Sequence, residues 1–208
     1  MFMLLSRTLI ILLTGLSLMS AHAAMADEQD ATDLIRNTTD QLLSEFDAHR
    51  AVYESDKDKL YTMVERVAIP HFDFDRMTKL VLGRYSKKAT PAEFNAFKTE
   101  FKTLLIRTYA TALFQYTGQS IHYQPQINEA KYKIVQVSVQ LDQVEPVEIE
   151  YFLADREGVL KVFDVSIDGI SLVTNYRSAY NAVIRSKGLQ ALIDDLATKN
   201  SKNRAVTN

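Results

Sequence analysis

The chain of 208 residues contains no cysteine and no tryptophan, and it has only six glycines and four prolines. Without cysteine there are no disulfides, thiolate metal sites or cysteine nucleophiles, and the lipid-modified cysteine of a lipoprotein is missing as well. Six glycines leave little scope for a glycine-rich phosphate loop or a G-x-S-x-G elbow, and neither motif occurs. These absences exclude several classes of enzyme, and they leave the apolar core alone to stabilise the fold.

The N-terminus has the three parts of a secretory signal peptide. Arg7 supplies a positive charge, and an uncharged run over 8–19 follows that is too short to cross a membrane as a helix. Two successive A-x-A sites then end at Ala23 and Ala26. We therefore expect residues 1–23 to be a signal peptide that is cleaved after Ala23 or Ala26, rather than an uncleaved anchor. The mature chain should be soluble outside the cytoplasm.

The charge balance limits the kinds of partner. The chain carries 24 lysines and arginines against 26 aspartates and glutamates, a net charge of −2. A mildly acidic chain argues against nucleic acid as a partner. The histidines outside the signal peptide, His49, His71 and His122, share no metal-binding spacing, so no metal site is predicted.

Apolar periodicity predicts three helices in the first part of the mature chain. The first covers 32–49, and the second begins at a cap, Ser55 or Asp56, and ends at Pro70. The third covers 73–82 and is closed by Gly83 as C-cap.

The clearest helix start in the chain is Thr90-Pro91-Ala92-Glu93. Threonine is the cap, proline takes the first helical position, and glutamate completes a capping box. The long helix that begins here is expected to reach Tyr116.

Strands and two further helices follow. Four segments have the alternation or position of antiparallel strands, and they are 121–123, 134–141, 147–153 and 159–167. Their shared apolar face needs a cover, for which we expect the C-terminal helices over 171–187 and 189–199. The predicted class is α+β, with a curved antiparallel sheet of about four strands packed against several helices. We expect a single domain over 27–199 and a flexible tail over 200–208.

Two carboxylates near the last strand are the candidates for catalysis. Asp164 and Asp168 could act as general acid or base in a cone-shaped α+β enzyme. However, Asp168-Gly169 is a turn pair, and Asp164 alternates with apolar neighbours as an outward residue would. The apolar side chains of the long helix, the strands and the stripe after Gly169 converge either on a filled core or on a cavity for an apolar ligand. Periodicity does not distinguish these two arrangements.

Several strings resemble the signature of the MlaC or toluene-tolerance family of periplasmic phospholipid-binding proteins. They occur in order over nearly the whole mature chain, and they are FDFDRM at 72–77, VLGRY at 81–85, KATP at 88–91, LIRTYATAL at 105–113, KVFDV at 161–165 and DGISLVTNYR at 168–177. The resemblance implies a carrier whose sheet and helices enclose an apolar pocket for the acyl chains of a glycerophospholipid. It implies a protein of the periplasm that is not an enzyme and has no cofactor apart from its lipid cargo.

The resemblance also leads to expectations about residues and partners. We expect the acyl chains to be lined by apolar side chains of the long helix, the sheet and the start of the next helix: Leu105, Tyr109, Leu113, Val137, Val139, Ile149, Tyr151, Val165, Ile170, Val173 and Tyr176. Arg177 either binds the lipid phosphate at the mouth or forms a structural salt bridge.

The implied partners are an inner-membrane ABC transporter with an MCE-domain subunit and an outer-membrane lipoprotein–porin complex, served by a monomeric carrier that maintains outer-membrane lipid asymmetry. Two alternatives stay open. One is an enzyme of a cone-shaped fold that acts on a hydrophobic small molecule, and the other is a periplasmic chaperone or adaptor.

Overall fold

The α+β class is confirmed by the computed structural model, which describes residues 30–140 and 145–205. The predicted signal peptide, its cleavage sites after Ala23 or Ala26, and Leu141 lie outside these ranges. Six α-helices are present in the described ranges: α1 Ala31–Ser55, α2 Lys57–Val67, α3 Phe74–Leu82, α4 Pro91–Tyr109, α5 Leu172–Lys187 and α6 Leu189–Ala205. The strands lie between α4 and α5, and they are β1 Ile121–Tyr123, β2 Ile127–Asn128, β3 Lys133–Val139, β4 Val147–Arg156, β5 Val159–Ile167 and β6 Ile170–Ser171.

Two helices, α2 and α4, begin at capping residues that the sequence predicts. Asp56 caps α2 by accepting hydrogen bonds from the backbone of Asp58 and Lys59. The capping box at the start of α4 is complete, because Thr90 and Glu93 each accept a hydrogen bond from the other's backbone N–H. These local interactions satisfy backbone donors that would otherwise have no partner in the first turn.

The helix ends differ more from the prediction. At His49, the predicted end of α1, the backbone leaves the helical region, yet the helix resumes and continues to Ser55. The resumed turns bury Tyr53, whose ring stacks on Phe46 at 6.0 Å. The last helix continues past its predicted end at Lys199, and the buried Asn200 donates a hydrogen bond of 3.0 Å to the carbonyl of Glu100 on α4.

Within the described residues the sheet has six strands, in the order β1-β3-β4-β5-β6, with β2 paired to the start of β3. All pairs are antiparallel. Two strands, β2 and β6, go beyond the predicted number, because segments of two residues are too short to show an alternating pattern. A bulge between Phe152 and Leu153 shifts the register of β4 against β5, and such bulges bend a sheet.

Three apolar clusters form the core, and each has one main position in the fold. The sheet cluster joins the sheet to the starts of α1 and α5, through Ala31, Leu34, Ile35, Val135, Val137, Leu153, Leu160, Val162, Val165 and Leu172. The helical cluster joins α3, α4, α5 and α6, through Phe74, Met77, Val81, Leu82, Phe97, Phe101, Leu105, Val173, Tyr180, Ile184, Leu192, Ile193 and Leu196. The α2 cluster contains Phe46, Tyr53, Leu60, Met63, Val67, Ile106 and Ala110.

The cover of the sheet therefore differs from the prediction. The buried side chains that α1 and α5 contribute to the sheet cluster come from their first turns, and α6 contributes none. Residues of α6 pack instead with α4 in the helical cluster. The expectation that both C-terminal helices cover the sheet was wrong for α6, because the aromatic stripe of α4 needs a cover of its own.

The segment 72–75 connects the sheet to the helical layer. Phe72 forms a parallel bridge with Val162 of β5, and the N–H of Asp73 donates to the Val162 carbonyl at 2.8 Å. Arg156, at the end of β4, donates to Asp73 at 2.7 Å and to Asp75 at 3.2 Å. Of the helices in the described residues, none combines the length and the apolar character needed to cross a membrane.

Candidate functional site

One face of the sheet, which we call the inner face, carries apolar side chains from all the longer strands. Antiparallel register places Val137 opposite Ile149, and Tyr151 opposite Val165. Side chains at directly opposed positions lie on the same face, and every second residue along a strand returns to that face. The inner face therefore brings together six of the predicted site residues: Val137, Val139, Ile149, Tyr151, Val165 and Ile170.

Burial along the inner face decreases from one end to the other. Val135, Leu153 and Val162 are at most 1% exposed at one end. Val139 and Ile149 are half-buried, and Ile170, opposite Ile167 on the edge strand, is 61% exposed. The inner face is thus closed at the end of the β4–β5 hairpin and open at the end that includes Ile170.

A tight turn holds Ile170 at this open end. Asp168 and Gly169 both have positive φ, 49° and 78°, as the two central residues of a type I′ hairpin turn do. Asp168 also accepts a hydrogen bond of 3.0 Å from the N–H of Glu148 on β4. Asp168 therefore has a structural role in this turn.

The first turns of α1 were missed as part of the site. Leu34 and Ile35 are at most 8% exposed and pack in the sheet cluster. Their signal was available, because Ala31, Leu34 and Ile35 have the i, i+3, i+4 spacing of a buried helix stripe. Tyr123 and Ile121 of β1 were also missed, and both pack against the sheet cluster.

The predicted residues on the helices are divided between layers. Leu105 and Val173 are buried in the helical cluster. Tyr176 packs against both the helical and the sheet clusters, and its ring meets that of Phe101 edge to face at 5.3 Å. Tyr176 is therefore the residue through which the helical side of the predicted site reaches the sheet side.

Leu113 is not brought together with the other predicted residues. The α-helix was expected to reach Tyr116, but it ends at Tyr109 and continues as a 3-10 helix over Ala110–Gln115. With about three residues per turn instead of 3.6, Leu113 is rotated away from the face that Leu105 and Tyr109 share. It packs against the α2 cluster instead.

Three tyrosines near the inner face keep their protons far above neutral pH. Burial, with a smaller contribution from the neighbouring Tyr109 hydroxyl, raises the pKa of Tyr176 to about 12. Burial also raises the pKa of Tyr151 to about 12 and raises that of Tyr123. Tyr109 itself is 37% exposed. These rings offer apolar faces and uncharged hydroxyls to whatever binds beside them.

Arg177 lies on the surface and has no ion-pair partner among residues 30–140 and 145–205. Its guanidinium lies over Gly83, where a Cβ atom would be 3.1 Å from Nε. Of the two predicted roles, the structural salt bridge is therefore not found, and the charge is available to a ligand.

Asp164 has a structural role as well. Its carboxylate accepts hydrogen bonds from the Ser171 hydroxyl at 2.6 Å and from the Val173 N–H at 3.0 Å. Both donors lie at the N-terminus of α5, where a carboxylate stabilises the helix. In the described part of the chain, no group of three or more histidine, aspartate or glutamate side chains is arranged to hold a metal ion.

Two clefts lie elsewhere, on either side of Phe72 and Arg156. Their volumes are about 280 Å³ and about 440 Å³, and none of the predicted lipid-binding residues lines them. Ion-paired side chains, among them Asp75, Lys98 and Arg156, line the smaller cleft. Acyl chains are not expected to bind among such charges, because desolvating them is costly.

Comparisons with known proteins agree on one family. The family model described as MlaC protein matches residues 36–198. The toluene tolerance protein ttg2D of Pseudomonas putida is 28% identical over 206 residues, which cover 97% of this chain and 94% of the relative. The intermembrane phospholipid transport system binding protein MlaC of Haemophilus influenzae is 24% identical over 166 residues, 77% of each chain.

A solved structure has a similar fold. It is that of a phospholipid-binding protein from Ralstonia solanacearum in complex with a phospholipid. The TM-score is 0.77 and the sequence identity 28%, and the match covers 85% of this chain and 99% of the other.

Proposed function

Because the chain belongs to the MlaC family, we propose that it is a periplasmic carrier that binds a glycerophospholipid and shuttles it between the outer and inner membranes. Such shuttling maintains the lipid asymmetry of the outer membrane. One observation carries the proposal: the solved structure that this fold matches over 99% of its chain is a complex with a phospholipid. The exported character that the N-terminal sequence predicts agrees with a periplasmic location.

The acyl chains would lie on the inner face of the sheet, between Ile149 and Tyr151 on one side and Tyr176 on the other. The apolar side chains at this junction are half-buried, so they can separate to admit an acyl chain. This costs less free energy than separating the fully buried side chains at the closed end of the inner face. The head group would then remain at the open end, and the exposed guanidinium of Arg177, which forms no ion pair within the described residues, would bind its phosphate. Leu105, Val173 and Val165 would lie beneath the side chains that contact the acyl chains.

The free energy of hydrating a lipid explains why a carrier is needed. Burial of an acyl chain is worth about 0.8 kcal/mol per CH₂, so exposing one sixteen-carbon chain to water costs on the order of 12 kcal/mol. A protein that keeps the chain dry removes this barrier by binding alone. We therefore propose that the protein is not an enzyme and needs no cofactor.

The partners would be membrane complexes at either end of the route. We propose an outer-membrane lipoprotein–porin complex as donor or acceptor, and an inner-membrane ABC transporter with an MCE-domain subunit as the other. The carrier would act as a monomer, because it must expose its open end to each complex in turn.

Replacing Ile170 with glutamate tests the proposal. Ile170 is 61% exposed, so the fold should tolerate the change within about 0.5 kcal/mol. A carboxylate at the open end should nevertheless lower retention of labelled phospholipid at least about tenfold, because the cargo would desolvate it. Ile127→Glu is the matched control, since Ile127 is 42% exposed and pairs with Ile134, which lies on the opposite face of the sheet from Val135. Equal retention by the two variants would count against the proposed site.

A further inference from the structure

Two stretches of this chain carry cations and no carboxylate, and they come together at Gly83. No aspartate or glutamate occurs between Asp75 and Glu93, nor between Asp168 and Asp194. The first stretch joins α3 to α4 and the second contains α5, and they meet where Arg177 lies over Gly83. We call the exposed cations of these stretches the basic face, and they are Lys79, Arg84, Lys87, Lys88, Arg177, Arg185 and Lys187.

The cations of the basic face differ from most others in the molecule. Arg36, Arg50, Arg66, Arg107 and Arg156 each form an ion pair with a carboxylate. In contrast, no carboxylate of the described ranges lies within ion-pair distance of any member of the basic face. The basic face thus combines a local excess of charge with a lack of internal neutralisation.

Helix electrostatics account for only part of this pattern. Arg185 and Lys187 lie in the last turn of α5, where cations stabilise the helix dipole. Arg177 lies near the start of the same helix, where a cation gains nothing from the dipole. Lys88 lies just after the 3-10 segment Gly83–Lys87, in a connection rather than in a helix.

Two arginines of the basic face are held by local contacts. Arg84 lies 5.0 Å from the centre of the Tyr85 ring and donates a hydrogen bond of 3.1 Å to the Tyr85 hydroxyl. Arg177 rests on the backbone of Gly83. A guanidinium that is held in place loses little freedom when it binds a carboxylate in a bidentate manner.

We propose that the basic face is the docking surface for an acidic protein surface on the membrane complexes that exchange lipid with this chain. The inference rests on the proposed function, and it adds where the partner binds and with what chemistry. Arg177 directly follows Tyr176, which reaches the inner face, so a partner bound here would lie beside the open end. Charge complementarity of this kind speeds encounter and fixes the orientation of the two openings.

A protein surface fits these observations better than an anionic membrane does. The whole chain has a net charge of −2, so an anionic bilayer would attract one face and repel the rest.

The test uses the purified mature protein and two probes, the periplasmic domain of the MCE-domain subunit and the outer-membrane lipoprotein–porin complex of the same bacterium. The test variant reverses Arg84, Lys87 and Lys88 to glutamate, and it leaves the proposed lipid site untouched. The matched control reverses Lys57, Lys131 and Lys199, which lie outside the basic face and give the same change in net charge. Phospholipid content is measured for each protein before binding is measured.

Both variants should retain phospholipid. The dissociation constant for at least one probe should rise on the order of tenfold for the basic-face variant and less than about threefold for the control. Wild-type affinity should fall as salt is raised from about 50 to about 300 mM. The proposal is overturned if neither probe binds the wild-type protein, or if both variants weaken binding equally.

It is also overturned if the basic-face variant loses only its binding to vesicles with about 30% phosphatidylglycerol, because the occupant would then be a membrane. Absence of phospholipid from the wild-type protein would instead refute the proposed function itself.

Discussion

Gly83 shows how one residue meets two independent requirements. Its φ of +55° closes α3 in a conformation that side chains rarely adopt, and Arg177 occupies the space that a Cβ would need. The role as C-cap could be predicted from the local sequence. The contact with Arg177 could not, because the arginine lies far along the chain and its position depends on how α3 packs against α5.

Replacing Gly83 with alanine should lower the free energy of unfolding by about 2 kcal/mol, from backbone strain and from displacement of Arg177. Gly118→Ala is the matched control, since Gly118 also has positive φ but no atom within 4 Å of its Cβ position. It should lose only about 1 kcal/mol. Urea denaturation measures both. Equal losses would show that the guanidinium moves aside without cost.

The raised pKa of Tyr176 leads to a prediction about how stability depends on pH. Because its pKa is raised from 10 to about 12 in the folded protein, the unfolded chain ionises first as pH rises. Its contribution to stability is therefore complete below pH 10 and is lost progressively above it. Between about pH 9 and pH 11, wild type should lose about 1 kcal/mol more stability than Tyr176→Phe. Identical pH profiles in urea denaturation would contradict the burial of this hydroxyl.

At the scale of elements, helix starts were more predictable than helix ends. A cap such as that of Thr90 with Glu93 is a local interaction, and four adjacent residues determine it. The end of α4 depends instead on packing, because the turn to 3-10 geometry brings Leu113 onto the α2 cluster. Which layer a helix covers is likewise a tertiary property, and this is why the position of α6 was predicted wrongly.

Asp164 connects two elements, and its replacement tests a structural against a catalytic role. Asp164→Ala removes two hydrogen bonds at the start of α5, so the free energy of unfolding should fall by about 2 kcal/mol. Asp195→Ala, an exposed position on α6, should change it by less than about 0.5 kcal/mol. Phospholipid content should be unaltered in both. Lost lipid content without lost stability would indicate that Asp164 contacts the cargo.

For the whole molecule, the sheet half of the candidate site could be predicted and the helical half could not. Alternation in β3 and β4 assigns Val137 and Ile149 to one face without any knowledge of their partners. An apolar stripe on a helix predicts which residues are buried, but it does not predict which layer of the fold they pack against. Leu105 and Tyr176 have similar patterns, yet only Tyr176 reaches the sheet cluster.

The most direct test of the account is to measure what the protein carries. The mature wild-type protein would be purified from the periplasm without detergent, examined by native mass spectrometry, and extracted with organic solvent. The account predicts a mass excess that corresponds to bound glycerophospholipid, recovered in the extract and replaceable by labelled phospholipid from vesicles. A protein of unmodified mass that yields no phospholipid and accepts none from vesicles would contradict it.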